Sequence, residues 1–562
     1  MLSRNTAVIL ICFLGIAFSV MVSWLCFEFS YFEPDGVSYL FQAKLFTLGK
    51  LYLDAPPEYG FSSSPHINIL EGKWYSKYPF GNALMLTLGE FVDAPWVIPA
   101  LVTGFALVLL YLIVRETYGV DAAILAAILG LISPATLGMG STWLSEPVSR
   151  FFLAVFLFCL ICTLKGGRCL YPVLSGFALG YAFNTRPMSA VAFGVAAACF
   201  TLYWLVRSQA KILILKSIAL FFIPFTFMMG LCLLWNAYLT GDPIKFTFNA
   251  AQPYDRVGFG MRGEGYDPDA EGPDDCVPPM RTVVFTPKLA VERIWRHTIP
   301  CILYNAMGWG YYRPDLLRHT DDTATRPYQI TSAKSSDVDI GLDAIWRTYA
   351  RKLSPLRLIP LTFPIILMLI PLIHPSRNRY DVLFFSFLVL NLLLYFPFYF
   401  DGCTRGATPV HARYYNECTL LGIIPLVSRG MFILYGWMRN IQSRLPFLLI
   451  CALSALLIIN TVYTYMLIGK SYRKWSPVYQ QLPRLVKHQG IYHAVVFIPN
   501  QRGAPIGDYP FRSLEEADIV YFKLGPCKVW RLTSTDWRNV YETYFMGRSA
   551  YMYENGQLNR LI

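Results

Sequence analysis

Long apolar runs alternate with polar connections along most of this chain, and the runs are longer than a soluble core element needs. A helix that crosses the hydrocarbon core requires roughly 17 to 25 predominantly apolar residues, because each residue rises about 1.5 Å and lipid offers the backbone no hydrogen-bond partner. About eleven stretches meet or approach that length. They are Ala7–Phe27, Ala94–Val114, Asp121–Gly140, Pro147–Leu164, Tyr171–Asn184, Met188–Val206, Ser217–Leu239, Leu356–Ile373, Val382–Phe400, Glu417–Gly436 and Leu445–Ile468. The pattern predicts an all-α polytopic membrane protein.

Three segments depart from it. Between Glu28 and Phe91 lies a polar loop whose first part, Asp35 to Leu53, carries apolar residues at Val37, Tyr39, Leu40, Ala43, Leu45, Phe46 and Leu48, the spacing of an amphipathic helix lying on the interface. Thr240 to Ser354 is rich in Gly, Pro and Asp and contains no spanning run. Beyond Ile468 short strand-like runs at Ala494–Ile498, Ile519–Phe522 and Val529–Leu532 sit between Gly and Pro turns. Residues 1–468 are therefore expected to form the membrane domain, and residues 469–562 a small α/β domain.

Composition agrees: 55% of residues are hydrophobic and 15% charged, with a mean hydropathy of +0.41. The net charge of +12 is spread over many loops and forms no basic stripe, so it reports topology and attraction to anionic lipids; nucleic acid is not implied. Arg4, Arg115, Lys165, Arg168, Arg207, Lys211, Lys216, Arg377, Arg379, Arg439 and Arg444 all fall on one side of the predicted spans, which makes that side cytoplasmic. The amino terminus is then inside an inner (plasma) membrane, and the first run reads as a retained helix, too long for the core of a signal peptide. The long loops and the carboxy-terminal domain are outside, together with Cys276, Cys403 and Cys527, two of which an oxidising compartment could pair.

The unusual residues gather on that outer side. They are Glu33-Pro34-Asp35-Gly36 with Tyr39 and Ala43 after the first helix, Trp74-Tyr75-Ser76-Lys77-Tyr78-Pro79-Phe80-Gly81 before the second, and Ser145-Glu146-Pro147 in the next outer turn. Others are Gly176 to Pro187 ending in Thr185-Arg186-Pro187, Thr240-Gly241-Asp242-Pro243, and Ala412-Arg413-Tyr414-Tyr415 opening a late helix. In this order and on one face, they resemble the GT-C superfamily of membrane glycosyltransferases, which includes protein mannosyltransferases and the aminoarabinose transferase of lipid A. The resemblance implies transfer of a sugar from a polyprenyl-phosphate donor to an extracytoplasmic acceptor (lipid, glycan or protein), with inversion.

The chemistry of the residues fits that implication. A hydroxyl acceptor needs a base within hydrogen-bond reach, and a departing phosphate needs cationic groups where charge develops. Asp35 supplies the base; Arg186, Arg413 and Lys77 supply phosphate contacts, guanidinium forks being well matched to phosphate oxygens. By the resemblance Glu146 lies near the donor phosphate or a divalent cation, and Asp35 with Glu146 forms an oxygen site for Mg2+ or Mn2+. Tyr39, Tyr78, Arg150, Asp242, Arg405, His411 and Tyr414 are candidate supporting residues.

Each also has a plainer reading. Asp35 before Gly-Val-Ser-Tyr is a helix cap, and Glu146 with Arg150 an i, i+4 pair. Arg186 is a snorkelling arginine, His411 a surface histidine, and Lys73 and Lys77 with Trp74 and Tyr78 a head-group anchor. Two features depart from the family pattern: Gly36 stands where a second acidic residue often follows the first, and Phe285-Thr286-Pro287 lacks the histidine often found before Thr-Pro. A secondary transporter or lipid flippase is the alternative class, and a non-catalytic envelope scaffold a third.

Overall fold

The computed structural model describes residues 4–31, 34–62, 64, 66–250, 257–266, 280–294, 298–299, 302, 355–398, 414–439, 466, 477–499, 504–524, 536–554 and 556–562. Glu33, Cys276, Cys403, Arg405, His411, Arg413 and Cys527 lie outside these residues, as does the expected span Leu445–Ile468 apart from Met466.

Ten helices lead the chain: α1 Arg4–Phe27, α2 Pro34–Thr47, α3 Phe80–Glu90, α4 Val97–Tyr118, α5 Val120–Ile132, α6 Pro134–Gly140, α7 Glu146–Leu164, α8 Leu170–Phe183, α9 Pro187–Arg207 and α10 Lys211–Thr240. Later come Pro355–Ile373, Arg379–Tyr395 and a span over Asn416–Met438 that contains a π-helical turn at Thr419–Ile423. Among the described residues six helices are long and apolar enough to cross a membrane, or seven if α5 and α6, bent by 57° at Ser133 and Pro134, count as one span. The protein is a multi-pass membrane protein. Apolar side chains such as Phe13 and Trp24 of α1 and Ile223, Phe227 and Leu234 of α10 face outward, as helices bathed in lipid require.

Inside the bundle, α7 packs on α8, α8 on α10, and α4 on α1, α5 and α7. Gly176 of α8 lies directly against the Phe221 carbonyl of α10, a close backbone approach of the small-residue kind that helices use in lipid. Chain direction sorts the charges. Arg115, Lys165 and Arg207 close their helices and Arg379 opens its own, all at one end of the bundle, where Lys165 pairs with Glu116 at 2.9 Å, Arg429 with Asp381 at 3.2 Å, and Arg379 stacks on Trp204 at 3.9 Å. Glu146, Arg186 and Glu417 stand at the opposite end, where α7, α9 and the Asn416–Met438 span begin.

The 28–91 segment is built differently from expectation. It contains α2, α3 and a three-stranded antiparallel sheet, order β1-β3-β2, from β1 Leu53–Asp54, β2 Ile67–Leu70 and β3 Lys73–Ser76. Helix α2 is not an interfacial helix with one wet face: Asp35 through Ala43 are all buried, polar Ser38 and Gln42 included. Gln42 donates to the Leu51 carbonyl and accepts from the Ser76 N–H, so its burial is compensated. Trp74, Tyr75 and Lys77 are likewise buried, so protein and not lipid surrounds them.

The reason is the carboxy-terminal part. There β6 Ala494–Pro499, β7 Ile519–Leu524, β8 Ser549–Glu554 and β9 Gln557–Arg560 form a sheet of order β7-β6-β8-β9, parallel except for β9; β4 Gly260–Tyr266 and β5 Met280–Phe285 make a separate hairpin. Its helices are Pro477–His488 and Trp537–Tyr544. Phe41, Leu45, Phe61 and Trp74 of the 28–91 segment share one apolar core with Val495, Phe497, Val520, Phe522, Val540 and Phe545. The Tyr31 hydroxyl accepts from the Ile506 N–H at 3.0 Å. The α/β unit and the loop that carries Asp35 are thus packed as one body.

Candidate active site

Asp35 lies in the first turn of α2, which starts one residue earlier at Pro34. Its carboxylate is buried, with Oδ1 accepting from the Tyr78 hydroxyl at 2.5 Å and Oδ2 3.6 Å from His66 Nε2. Gly36 has no room for a side chain: a Cβ there would lie 2.9 Å from Tyr31 Cβ, so a second acidic residue at this position would meet the Tyr31 ring stem.

A second cluster forms around Arg186, in the turn before α9. Its Nη1 donates to Glu146 Oε1 at 2.7 Å and to Ser145 Oγ at 3.2 Å, and its Nε stands 3.1 Å from Glu417 Oε1. The Nη2 edge faces Tyr395, 3.5 Å from its hydroxyl, and Tyr414, stacked on Tyr395, lies 5.3 Å under the guanidinium. Burial alone would loosen the proton on Arg186, but Glu146, Tyr395 and Glu417 outweigh it and hold the group charged. Arg150 is not paired with Glu146 as the i, i+4 reading had it; it donates to Asn416 Oδ1 at 2.8 Å, Thr103 Oγ1 at 2.8 Å and the Thr136 carbonyl at 3.2 Å.

Tyr39 joins the two clusters. Its ring stacks on Tyr78 at 4.6 Å, its hydroxyl hydrogen-bonds the Ser145 side chain, and it feels the charges of Glu146, Asp35 and Arg186. Burial, reinforced by Glu146, pushes the Tyr39 phenol above its ordinary value, so it stays protonated. The backbone is also tied across: Gly81 N–H donates to the Asn184 carbonyl at 2.8 Å, and a Cβ on Gly81 would come within 2.7 Å of that oxygen. Only glycine lets the Lys77 to Gly81 stretch lie against the Asn184-Thr185-Arg186 turn. Lys77 is buried, its ammonium 4.6 Å from the Phe248 ring centre and 5.4 Å from that of Tyr78.

Five motifs far apart in sequence therefore meet at one end of the bundle. Asp242 is elsewhere, in an exposed turn where its Oδ1 accepts from the Ile244 N–H. Three members of the site, His66, Glu417 and Tyr395, were not among the sequence candidates. Glu417 carried a signal, a carboxylate at the mouth of an apolar run three residues after Tyr414; His66, one of seven histidines, carried none. Among the described residues no group of three His, Cys, Asp or Glu side chains is arranged to hold a metal ion, and Asp35 and Glu146 are each engaged by a donor side chain.

No family model matches the chain. A curated relative from Bacillus subtilis (strain 168), "Putative mannosyltransferase YycA", is 33% identical over 141 residues, 25% of this chain and 20% of that protein. This chain thus matches about a fifth of the relative's length. Its name falls within the class that the residue pattern resembles. Among solved structures, ArnT from Cupriavidus metallidurans bound to undecaprenyl phosphate aligns with a TM-score of 0.47 at 10% identity, covering 89% of this chain and 83% of that one. The apo oligosaccharyltransferase of Archaeoglobus fulgidus aligns at 0.45 and 12% identity, covering 86% of this chain and 57% of the other.

Proposed function

We propose that this chain is an integral-membrane glycosyltransferase of GT-C type that moves a sugar from a polyprenyl-phosphate donor to an extracytoplasmic acceptor, with inversion. The observation that carries it is the meeting of a buried carboxylate and a charged arginine, its side chain 10% exposed, through Tyr39 and the Gly81–Asn184 contact, at the end of the bundle away from the basic loops. A transporter or flippase is less well supported, since its ionisable residues would line a midplane path between two similar halves.

In this reading Asp35 takes the proton of the acceptor hydroxyl as the acceptor oxygen bonds to the anomeric carbon, and the phosphate departs with the bond's electron pair. Tyr78 holds the Asp35 carboxylate in place. The Nη2 edge of Arg186, with Lys77 and Arg413, meets the phosphate oxygens. Two carboxylates neutralise part of Arg186, so further cationic groups are needed, and Lys77 and Arg413 supply them. The expected Mg2+ or Mn2+ at Asp35 and Glu146 is not favoured by a donor set already engaged by Tyr78 and Arg186, and no step uses a cation. We further infer about eleven spans, an inner-membrane location with the amino terminus cytoplasmic, and an extracytoplasmic 469–562 domain.

The test is sugar transfer in reconstituted membranes from a panel of polyprenyl-phosphate sugars, comparing wild type with Asp35→Asn. Loss of about 10²- to 10⁴-fold in a folded variant is expected. Full activity in the variant, or movement of a labelled solute without donor consumption, would overturn the reading.

A further inference from the structure

Helix Arg379–Tyr395 ends at the site, and the carbonyl groups at that end are taken by donors from a different part of the chain. A helix cannot run on through Pro397, so the carbonyl groups of its final turn need partners from elsewhere. The Tyr395 and Phe396 carbonyls both accept from Nη2 of Arg293, at 2.9 and 3.3 Å, and the Pro397 carbonyl accepts from the Gly258 N–H at 3.0 Å. Both donors belong to the Thr240–Ser354 segment.

Arg293 is well placed for this task. It closes the short helix Pro287–Arg293, whose start is capped by the Thr286 hydroxyl accepting from the Leu289 N–H at 3.2 Å. Its side chain is buried, with the guanidinium 5.5 Å from the Phe285 ring centre. Phe259 packs against both Phe285 and Phe396, at 5.5 and 5.6 Å, and Leu289 and Phe396 pack on buried Phe285 and Ala290. A guanidinium so enclosed is costly unless its donors are engaged, and Arg293 gives hydrogen bonds to the turn that carries Tyr395. A cation there also meets the negative end of the helix dipole.

That turn carries the aromatic wall beside Arg186. The Tyr395 ring is buried, stacks on Tyr414 at 5.0 Å and meets Tyr415 edge-on at 5.7 Å; its hydroxyl stands 3.5 Å from both Arg186 Nη2 and Ser189 Oγ. Tyr414 in turn lies 5.3 Å from the Arg186 guanidinium. The capped carbonyl and the ring belong to one residue, so a shift of the helix end moves the wall. We propose that Arg293 is a positioning residue of the donor site: by capping helix Arg379–Tyr395 it sets where Tyr395 and Tyr414 stand against the Nη2 edge of Arg186, and so how the donor phosphate is met there. This rests on the glycosyltransferase reading above. Arg293 acts through Tyr395 and not on the reacting atoms.

The experiment compares wild type with Arg293→Met, Arg293→Gln and Arg293→Lys. It measures transfer from the polyprenyl-phosphate sugar that the wild type consumes, and binding of undecaprenyl phosphate to the purified protein. The Met and Gln variants, either of which suffices if the other does not fold, should raise the donor KM and weaken carrier binding about 10-fold while the acceptor KM stays near wild type. Lys keeps a charged donor at the two carbonyls and should restore most of both. In a Tyr395→Leu background, where the wall is already gone, Arg293→Met should add less than about twofold. Unchanged donor KM and carrier affinity overturn the proposal, even where the thermal midpoint falls, as does failure of both variants to fold; either result assigns Arg293 to the fold alone. Losses that multiply in the Tyr395→Leu background overturn it as well, because Arg293 then acts by another route. Absence of transfer by the wild type from every donor defeats the glycosyltransferase reading itself, and the carrier-binding arm tells that result from the failure of this proposal.

Discussion

Arg186 carries the heaviest electrostatic load in the site, and its removal separates holding the fold from doing chemistry. It stands 2.7 Å from Glu146 and 3.1 Å from Glu417, whose side chains are 1% and 0% exposed. With Arg150 nearby, two guanidinium groups face two carboxylates among the described residues, and these four charges sum to zero. Among the described residues, Arg186→Met leaves Arg150, whose hydrogen bonds go to Asn416, Thr103 and Thr136, against two buried anions. Breaking a buried ion pair in this way costs about 3 to 5 kcal/mol, most of it the burden of the abandoned charge. The double variant Arg186→Met with Glu417→Gln returns the sum to zero, Arg150 against Glu146, and should recover at least about half of that loss, since the two changes share one partner set and are not additive. The assay is the thermal unfolding midpoint of the detergent-purified protein, read beside sugar transfer in reconstituted membranes. The midpoint should fall clearly in the single variant and rise again in the double, while transfer is lost in both. A single variant as stable as wild type, or a double variant less stable than the single, would refute the charge-balance argument.

Gly81→Ala drives a methyl group against Thr185 and the Asn184 carbonyl, an overpacking cost of about 1 to 3 kcal/mol, and should lower transfer by displacing the Arg186 turn; unchanged kinetics would show that the turn is not positioned by this contact. Lys523, on β7 of the α/β domain, is half-buried, and desolvation lowers its pKa to about 8 from 10.5. Between those values the unfolded chain binds a proton that the folded chain does not, so stability rises with pH through that window and the full penalty applies below about pH 8. Lys523→Met should therefore stabilise the protein at pH 7 by about 1 to 3 kcal/mol and flatten the rise between pH 8 and 10.5, and a midpoint lowered at pH 7 would sink this account. Because Arg186 and Tyr78 already engage the two carboxylates, a chelator should change transfer by less than about twofold, whereas a large loss restored by Mg2+ or Mn2+ would reinstate the cation.

What the sequence determined by itself is what depends on short-range pattern and on the medium. Apolar runs of spanning length predict helices because lipid leaves the backbone no other solution, and the bias of Lys and Arg to one set of helix ends sorts the chain into two faces. Asp35, Glu146 and Arg186 were legible for the same reason: a charge placed beside an apolar run is costly enough to stand out. Strands β6 and β7 were legible as β-branched runs between turns, while β8 and β9, Ser549–Glu554 and Gln557–Arg560, carry mixed residues that take the sheet conformation only beside their neighbours, β8 on β6 and β9 on β8. Tertiary structure alone decided the rest. It enclosed α2 and Trp74 beneath the α/β unit, where hydrophobic pattern had placed them on the lipid surface, because apolar residues are satisfied equally by lipid and by a protein core that the local pattern does not reveal. It also decided partners. Glu146 turned from Arg150, four residues away, to Arg186, forty away in sequence but nearer in space, and Glu417 and His66 entered the site only because α2, α7, α9 and the Asn416–Met438 span begin together. Ion pairs and proton paths depend on distance through space, and in a bundle of antiparallel helices that distance is set by packing.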